Sequence, residues 1–329
     1  MKNLTFTLFF LISLSLSAQS SKEKGLNSIN EESAKTYVGF LANDALEGRE
    51  AGKRGSQIAS EYIKSVLQDM GIKPLNKDSY FQHFEAYSRE RQKRVRYSVH
   101  PDSINKYRQE SAHRKLNLKN VLGCIEGKNK NEYVVIGAHY DHLGIDEALA
   151  TDKIYNGADD NASGVSAVLQ IAKAFVTSGK IPERTIIFAF WDGEELGLLG
   201  SEYFASTYPY ISSIKGYLNF DMIGRNNDES QPKHVVYFFT ESYPQFGEWL
   251  KNDINKYKLA LEPDYRPWDK PIGGSDNASF AKRDIPVIWY HTDGHPDYHQ
   301  PSDHTEKINW EKLINITKAA YLSMWNLAN

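Results

Sequence analysis

The sequence predicts an α/β fold built on a sheet of buried strands, and three observations carry that prediction. Thr185-Ile-Ile-Phe-Ala-Phe-Trp191 is an unbroken apolar or β-branched run closed by an Asp-Gly turn, the pattern of a strand covered on both faces. Similar short runs recur at residues 133–138, 216–220 and 285–290, each followed at once by His139, Asp221 or His291. Between them lie stretches with apolar residues at helical spacing. A chain of 329 residues, 40% hydrophobic, easily forms one large domain on such a sheet.

The elements follow in chain order. Ser28-Ile-Asn-Glu31 fits a capping box, and Ala34, Val38 and Leu41 then share one face, predicting a helix over 31–42. Gly55 opens a second amphipathic segment, with Ile58, Tyr62, Ile63, Val66, Leu67 and Met70 on one side and Gly71 and Pro74 as stop signals. From 80 to 126 the period changes to two, predicting an edge meander with strands near 81–84, 95–99 and 120–125 and a polar stretch over 101–115. The strand at 133–138 delivers His139-Tyr-Asp141-His142, and the polar loop 143–155 leads into Asn156-Gly-Ala-Asp159-Asp160-Asn-Ala-Ser-Gly164. Val165, Val168, Leu169, Ala172 and Phe175 make the next segment helical, so the acidic pair stands where a loop enters a helix. Helix capping accounts for one aspartate but not for two beside a His-bearing strand. Thereafter the pattern predicts the strand 185–191 with Glu194 and Glu195 at its exit, a helix from Gly200, and the strand 216–220 with Asp221 at its end. A strand at 235–239, a helix at 245–257, a Gly-rich loop before a short helix near Asn277, a strand at 285–290, a His-rich loop at 291–304 and a closing helix complete the chain.

Composition excludes some roles. The net charge of −3 is too small to steer the chain toward a polyanion, so nucleic acid is not expected as a partner. The basic run from Arg89 to Arg96 is interleaved with Glu90, Gln92 and Val95 and reads as a solvated strand or hairpin face. Residues 1–18 differ from the rest: Lys2, an apolar stretch over 4–16 and Ser17-Ala18 before Gln19 match a secretory signal, which predicts a secreted or periplasmic mature chain at 19–329 forming one catalytic domain. A core of about a dozen residues is short for a bilayer span, and no membrane span is expected after removal of the signal. Cys124 is the only cysteine, so no intramolecular disulfide is available, and its strand-like surroundings read as a buried, inert thiol.

The strand ends and loops together offer His139, one of the Asp159-Asp160 pair, Glu195, Asp221 and His299 as ligand types, with Glu194 spare. Two imidazoles and three carboxylates suit two zinc ions with one carboxylate bridging, and the mixed nitrogen and oxygen donors also accept cobalt or manganese. His142, His291, His295 and His304 are surplus histidines that read as polar loop positions.

The ordered motifs His139-x-Asp141, Ala158-Asp-Asp-Asn-Ala-Ser-Gly164, Asp192-Gly-Glu-Glu-Leu-Gly-Leu-Leu-Gly-Ser201, Asn219-Phe-Asp-Met-Ile-Gly-Arg225 and His299-Gln-Pro-Ser-Asp303 resemble the M28 family of zinc metallopeptidases, the bacterial secreted aminopeptidases. The resemblance spans about residues 41–308. It implies a three-layer α/β/α sandwich around a mixed, mostly parallel sheet and hydrolysis of N-terminal peptide bonds with two zinc ions per chain. On motif matching, Asp160 bridges the metals, Glu195 and His299 complete one site, and His139 and Asp221 complete the other. Glu194 is then the general base, Asp141 the partner that orients His139, and Asp159 not a ligand. At Asn277 the chain departs from the family, many members of which carry a His there. Two rival readings are a glutaminyl cyclase-like aminoacyltransferase using one zinc and a non-catalytic binding ectodomain. The intact ligand set and the Asp221–Arg225 motif favour the peptidase.

Overall fold

A computed structural model describes residues 19–89, 95–110, 113–269 and 273–329. In chain order the elements are α1 (Ser21–Ser28), α2 (Glu31–Leu41), α3 (Arg54–Asp69), β1 (Lys73–Pro74), β2 (Phe81–Arg89), α4 (Pro101–Gln109), β3 (His113–Ile125) and β4 (Asn129–His139). There follow β5 (Gly144–Ile145), β6 (Ile154–Tyr155), α5 (Gly164–Ser178), β7 (Arg184–Trp191), α6 (Leu199–Thr207), β8 (Ile214–Phe220) and β9 (His234–Phe239). The chain closes with α7 (Gln245–Tyr257), β10 (Glu262–Pro267), α8 (Asn277–Ala281), β11 (Val287–His291) and α9 (Trp310–Ala328).

Among the described residues the sheet has nine strands, in the order β1-β3-β7-β4-β8-β11-β9-β10 with β2 also paired to β3. Its centre, β7-β4-β8-β11, is parallel, and β3 and β9 join that centre antiparallel. Period-two alternation on β7 divides the core. Ile186, Phe188 and Phe190 join the face covered by α1, α2, α3, α5, α7 and α9. Ile187, Ala189 and Trp191 join the face covered by α6 and α8. The result is a three-layer α/β/α sandwich on a mixed sheet, as expected. Because β4, β7 and β8 run parallel, His139, the turn after Trp191 and Asp221 leave the sheet at one edge, where ligands bind in open α/β sheets.

Several local expectations are corrected. Ser28 is not a capping residue: it ends α1, donating its hydroxyl to Gly25 O, and Asn30 caps α2 by accepting the Ser33 N–H at 2.9 Å. The capping box lies one helix earlier, between Ser20 and Glu23. Residues 95–99 form no strand; only Ser98 bridges to Tyr87. Part of the expected polar stretch is helix α4, with Pro101 in its first turn. The basic run falls largely outside the described residues at 90–94; of its ends, Arg89 closes β2 and pairs with Glu110 at 2.8 Å. Strand β10 was not anticipated because Glu-Pro-Asp-Tyr-Arg-Pro carries two prolines, which an edge strand tolerates. No helix among the described residues is long and apolar enough to cross a membrane.

One ion cluster ties α6 to the end of α8. Glu202 accepts from Arg283 Nη2 at 2.8 Å and also pairs with Lys282. Burial pushes the Glu202 carboxyl up, but Arg283 and Lys282 outweigh it and hold the group at about 2, against 4.5 for the free side chain. As pH falls, the unfolded chain therefore takes up this proton first, so the stabilisation is complete above about pH 4.5 and gone by about pH 2. Glu202→Gln should lower stability at pH 7 by about 2 kcal/mol and flatten the acid limb of a urea-unfolding series in that window. Parallel wild-type and variant curves from pH 5 to 2 would contradict this.

Candidate metal centre

Four loops at the carboxyl edge of the sheet build the centre. His139 is the last residue of β4, and its Nε2 lies 3.2 Å from Asp160 Oδ1 and 3.6 Å from Asp221 Oδ1. Its Nδ1 is 3.2 Å from the Asp141 carbonyl and 3.7 Å from that residue's carboxylate. The Asp141 carboxylate accepts instead from the backbone N–H of Glu194 at 3.0 Å and of Glu195 at 3.4 Å. The Asp141 carbonyl thus lies nearer the His139 imidazole than the Asp141 carboxylate does, and that carboxylate is bonded to the Glu-Glu turn.

Asp160 is reached through Gly157, whose φ of 58° suits glycine and where a Cβ would fall 2.1 Å from Asp160 O. One carboxylate oxygen of Asp303, Oδ2, accepts the N–H of both Asp159 and Asp160, at 2.9 and 3.0 Å. The side chain of Asp159 turns away from this edge: Oδ1 accepts from Gly224 N, and Oδ2 lies 3.2 Å from His295 Nε2. Asn161, the next residue, bonds Phe220 O at 2.8 Å and so ties this loop to the strand that ends at Asp221.

On the other side of Asp160, His299 Nε2 lies 3.2 Å from its Oδ2 and 3.1 Å from Glu195 Oε2. His142 enters from the turn after β4, with Nδ1 2.7 Å from Glu195 Oε1 and 3.9 Å from Asp160 Oδ2. Ligand-type atoms of His139, Asp160 and Asp221 fall within 4.8 Å of one another, and so do those of His142, Asp160 and Glu195. Asp160 is common to both groups. Mixed imidazole and carboxylate donors at this spacing fit zinc.

The electrostatics agree. Burial pushes the His139 imidazole down, but Glu194, Asp160 and Asp221 outweigh that and raise it well above the usual range. His299 is likewise lowered by burial and raised by Asp160 and Glu195, to about 10. Asp160, which burial alone would raise, is driven well below the carboxylate range by His142, His139 and His299. The same acidic surroundings that raise these imidazoles would favour a cation, and a metal entering here would compete with protons for them. Glu194 is raised well above its usual range, by burial first and then by Asp221, Glu195 and Asp276.

The open space beside these groups is a cleft of about 260 Å³ whose walls include Glu194, Asp221, Met222, Trp289, Tyr298 and His299. A larger cavity of about 820 Å³ lies apart, between α4 and α6, with no acidic residue in its lining. Of the surplus histidines, three are engaged. His142 is buried against Glu195, His291 Nδ1 donates to Asp221 O at 2.6 Å, and His295 backs Asp159. His304 is half-buried and meets Asp152 at 2.9 Å. Asn277 is buried behind the cleft, accepting from Asn219 Nδ2 at 3.4 Å.

A match to the model of peptidase family M28 covers residues 120–324. The chain belongs to that family. Leupeptin-inactivating enzyme 1 of Streptomyces exfoliatus is 30% identical over 232 residues, which cover 63% of this chain and 48% of the relative. The chain thus spans about half the length of this curated relative. The LapA aminopeptidase of Legionella pneumophila superposes with a TM-score of 0.68 at 22% identity, over 100% of this chain and 80% of its own. A glutaminyl cyclase of Fimbriiglobus ruber gives 0.67 at 16% identity, over 92% and 96%. These two structures share the fold.

His142, expected from sequence to be a polar loop position, instead joins Asp160 and Glu195; the available signal was its place three residues beyond His139, on the turn leaving the same strand end. His142→Ala should weaken metal binding at the Asp160–Glu195 side by roughly 10–100-fold, since Glu195 loses the group that orients it. Competition with a chromophoric chelator measures this, and unchanged affinity at both sites would show that His142 does not act on the metal.

Proposed function

We propose that this chain is a zinc-dependent exopeptidase that removes N-terminal residues from peptides, with Glu194 as general base. The observation that carries the reading is Asp160, shared by two three-residue ligand groups, with Glu194 in the wall of the same cleft. His139, Asp160 and Asp221 would hold one zinc ion, and Asp160, Glu195 and His299 a second, with His142 steadying Glu195. Bound zinc supplies a water acidified toward neutrality and a Lewis-acid hold on the scissile carbonyl.

The rest is the work of the chain's own residues. Glu194 is a carboxylate whose affinity for a proton is raised by its surroundings, which suits it to take a proton from the attacking water and return it to the leaving amine. The Asp141 carboxylate holds the Glu194 backbone so that this side chain faces the cleft while the adjacent Glu195 faces the imidazoles. Met222, Trp289 and Tyr298 give the cleft apolar walls, and its small volume accommodates one terminal residue better than a running chain. Residues 19–329 act as one catalytic domain, exported with residues 1–18 removed. N-terminal sequencing of exported protein should begin at Gln19; intact Met1 would refute that part.

Assays of purified protein on aminoacyl chromogenic amides and on N-terminal glutaminyl peptides, with zinc per chain measured alongside, test the reading. Amide hydrolysis should be abolished by a strong chelator and restored by zinc. Glu194→Gln should keep its zinc yet lose on the order of 10²–10⁴ in kcat, whereas Glu195→Gln should lose zinc and activity together. Cyclisation of glutaminyl peptides without amide hydrolysis would replace the peptidase by a cyclase. Inertness toward both substrates with zinc bound would leave a binding domain.

A further inference from the structure

Arg49 is fully buried at 1% exposure in a segment outside the residues that the family model matches. Its guanidinium makes no ion pair among the described residues, and its donors go instead to main-chain oxygens. Nε donates to Tyr140 O at 2.8 Å, Nη1 to Leu41 O and Asn156 O at 2.6 Å each, and Nη2 to Gly157 O at 3.0 Å. Tyr140 stands between His139 and Asp141, and Asn156-Gly157 is the approach to Asp160. One planar fork therefore grips two of the three segments that carry the first metal group, those of His139 and Asp160. The main chain of Arg49 adds a further tie, accepting the N–H of His142 at 3.1 Å.

The backbone here is unusual. Glu47, Gly48 and Arg49 are all left-handed, with φ of 51°, 63° and 48°, an arrangement that side-chain-bearing residues adopt only when their surroundings over-determine it. Gly48 is required for close approach: a Cβ there would fall 2.2 Å from Gly144 O and 2.7 Å from Tyr155 O, on the small β5–β6 ribbon. Asn156 reinforces the joint, donating to Ala42 O at 2.9 Å and Asp44 Oδ1 at 2.8 Å. Burial pushes the guanidinium down to about 10, against the pull of Asp160, Asp141, Asp303 and Glu195, so it stays charged at neutral pH and faces the acidic centre.

We propose that Arg49 is a positioning residue that forms the metal centre before any metal arrives, by binding the His139–Asp141 strand end and the Asn156–Asp160 loop to one fork. Lysine cannot take this place. An ammonium is a compact charge with three donors and cannot span carbonyls on separate segments, whereas the guanidinium's five donors lie in a rigid plane. The proposal rests on the reading of the centre as a zinc site.

Arg49→Lys keeps the charge and removes the fork. Chelator competition on the folded variant should show zinc bound roughly 10–100-fold more weakly than by wild type, the scale found when groups that orient metal ligands are lost. Wild-type affinity in folded R49K overturns the proposal, since a purely structural arginine would alter the unfolding midpoint and leave zinc affinity alone. Where R49K does not fold, hydrogen exchange of the wild-type chain decides. The amides of Tyr140, His142 and Ala158 should be as protected without metal as with zinc, and protection that appears only with zinc overturns the proposal. A wild-type chain that binds no zinc would instead remove the reading on which it rests.

Discussion

Everything at the carboxyl edge depends on one constraint: Asp160 must stay ionised and fixed between two imidazoles on opposite sides of it. His139 and His299 each approach a different oxygen of that carboxylate, both at 3.2 Å. A single mobile aspartate could satisfy one of them. Fixing it for both takes the paired backbone bonds to Asp303 Oδ2 and the close turn at Gly157. Asp159 is spent as an anchor toward Gly224 and His295, which leaves its neighbour to face the centre. Two adjacent aspartates thus have opposite orientations and different work, and the Glu194-Glu195 pair repeats the arrangement on the facing turn.

Gathering so many carboxylates in a buried edge is costly, because each raises its neighbours' hold on protons. The structure distributes the problem. Asp160 and Glu195 sit beside imidazoles and are lowered, while Glu194 and Asp141 are raised well above the carboxylate range by burial first and by neighbouring acids second, against the pull of His139. The same crowding therefore produces two classes of acid within a few residues: one suited to staying charged beside a cation, the other to exchanging a proton. Environments that push neighbouring carboxyls apart in this way are a sign of divided chemical roles.

Most of this was legible in the sequence wherever the signal was local. Buried strands whose exits carry His139, Asp192 and Asp221 were visible because parallel strands covered on both faces must be continuously apolar, and their exits then stand out. Helix α7 matches its expected span of 245–257 because its apolar period is clean. What could not be read was the choice among equivalent local caps and whatever was long-range. The Asn30 cap and the Ser20–Glu23 box were confused with Ser28, since capping residues within ten positions are interchangeable on pattern alone. Edge strand β10 lacks any apolar run and exists because β9 offers it a ladder. His142 and His295 looked like loop polarity because burial is conferred by segments more than fifty residues away.

Arg49 is the extreme case of that limit. In sequence it is one cation among thirty-nine, in a Gly-rich turn between two helices, and nothing local separates it from the exposed Arg54 five residues later. In the fold, Arg54 pairs with Glu47 at the surface, whereas Arg49 turns inward to carbonyls 91 and 107 positions away. The difference follows from backbone handedness: a left-handed Arg49, after a glycine that allows the chain to lie against Gly144 and Tyr155, sends the side chain beneath the strand end instead of into solvent. A segment with no ligand of its own thereby sets the spacing of the ligands. A buried guanidinium without an acidic partner is expensive unless most of its donors are taken and a cluster of negative charge lies beyond them; here four of the five donors are bonded and the acidic centre lies beyond.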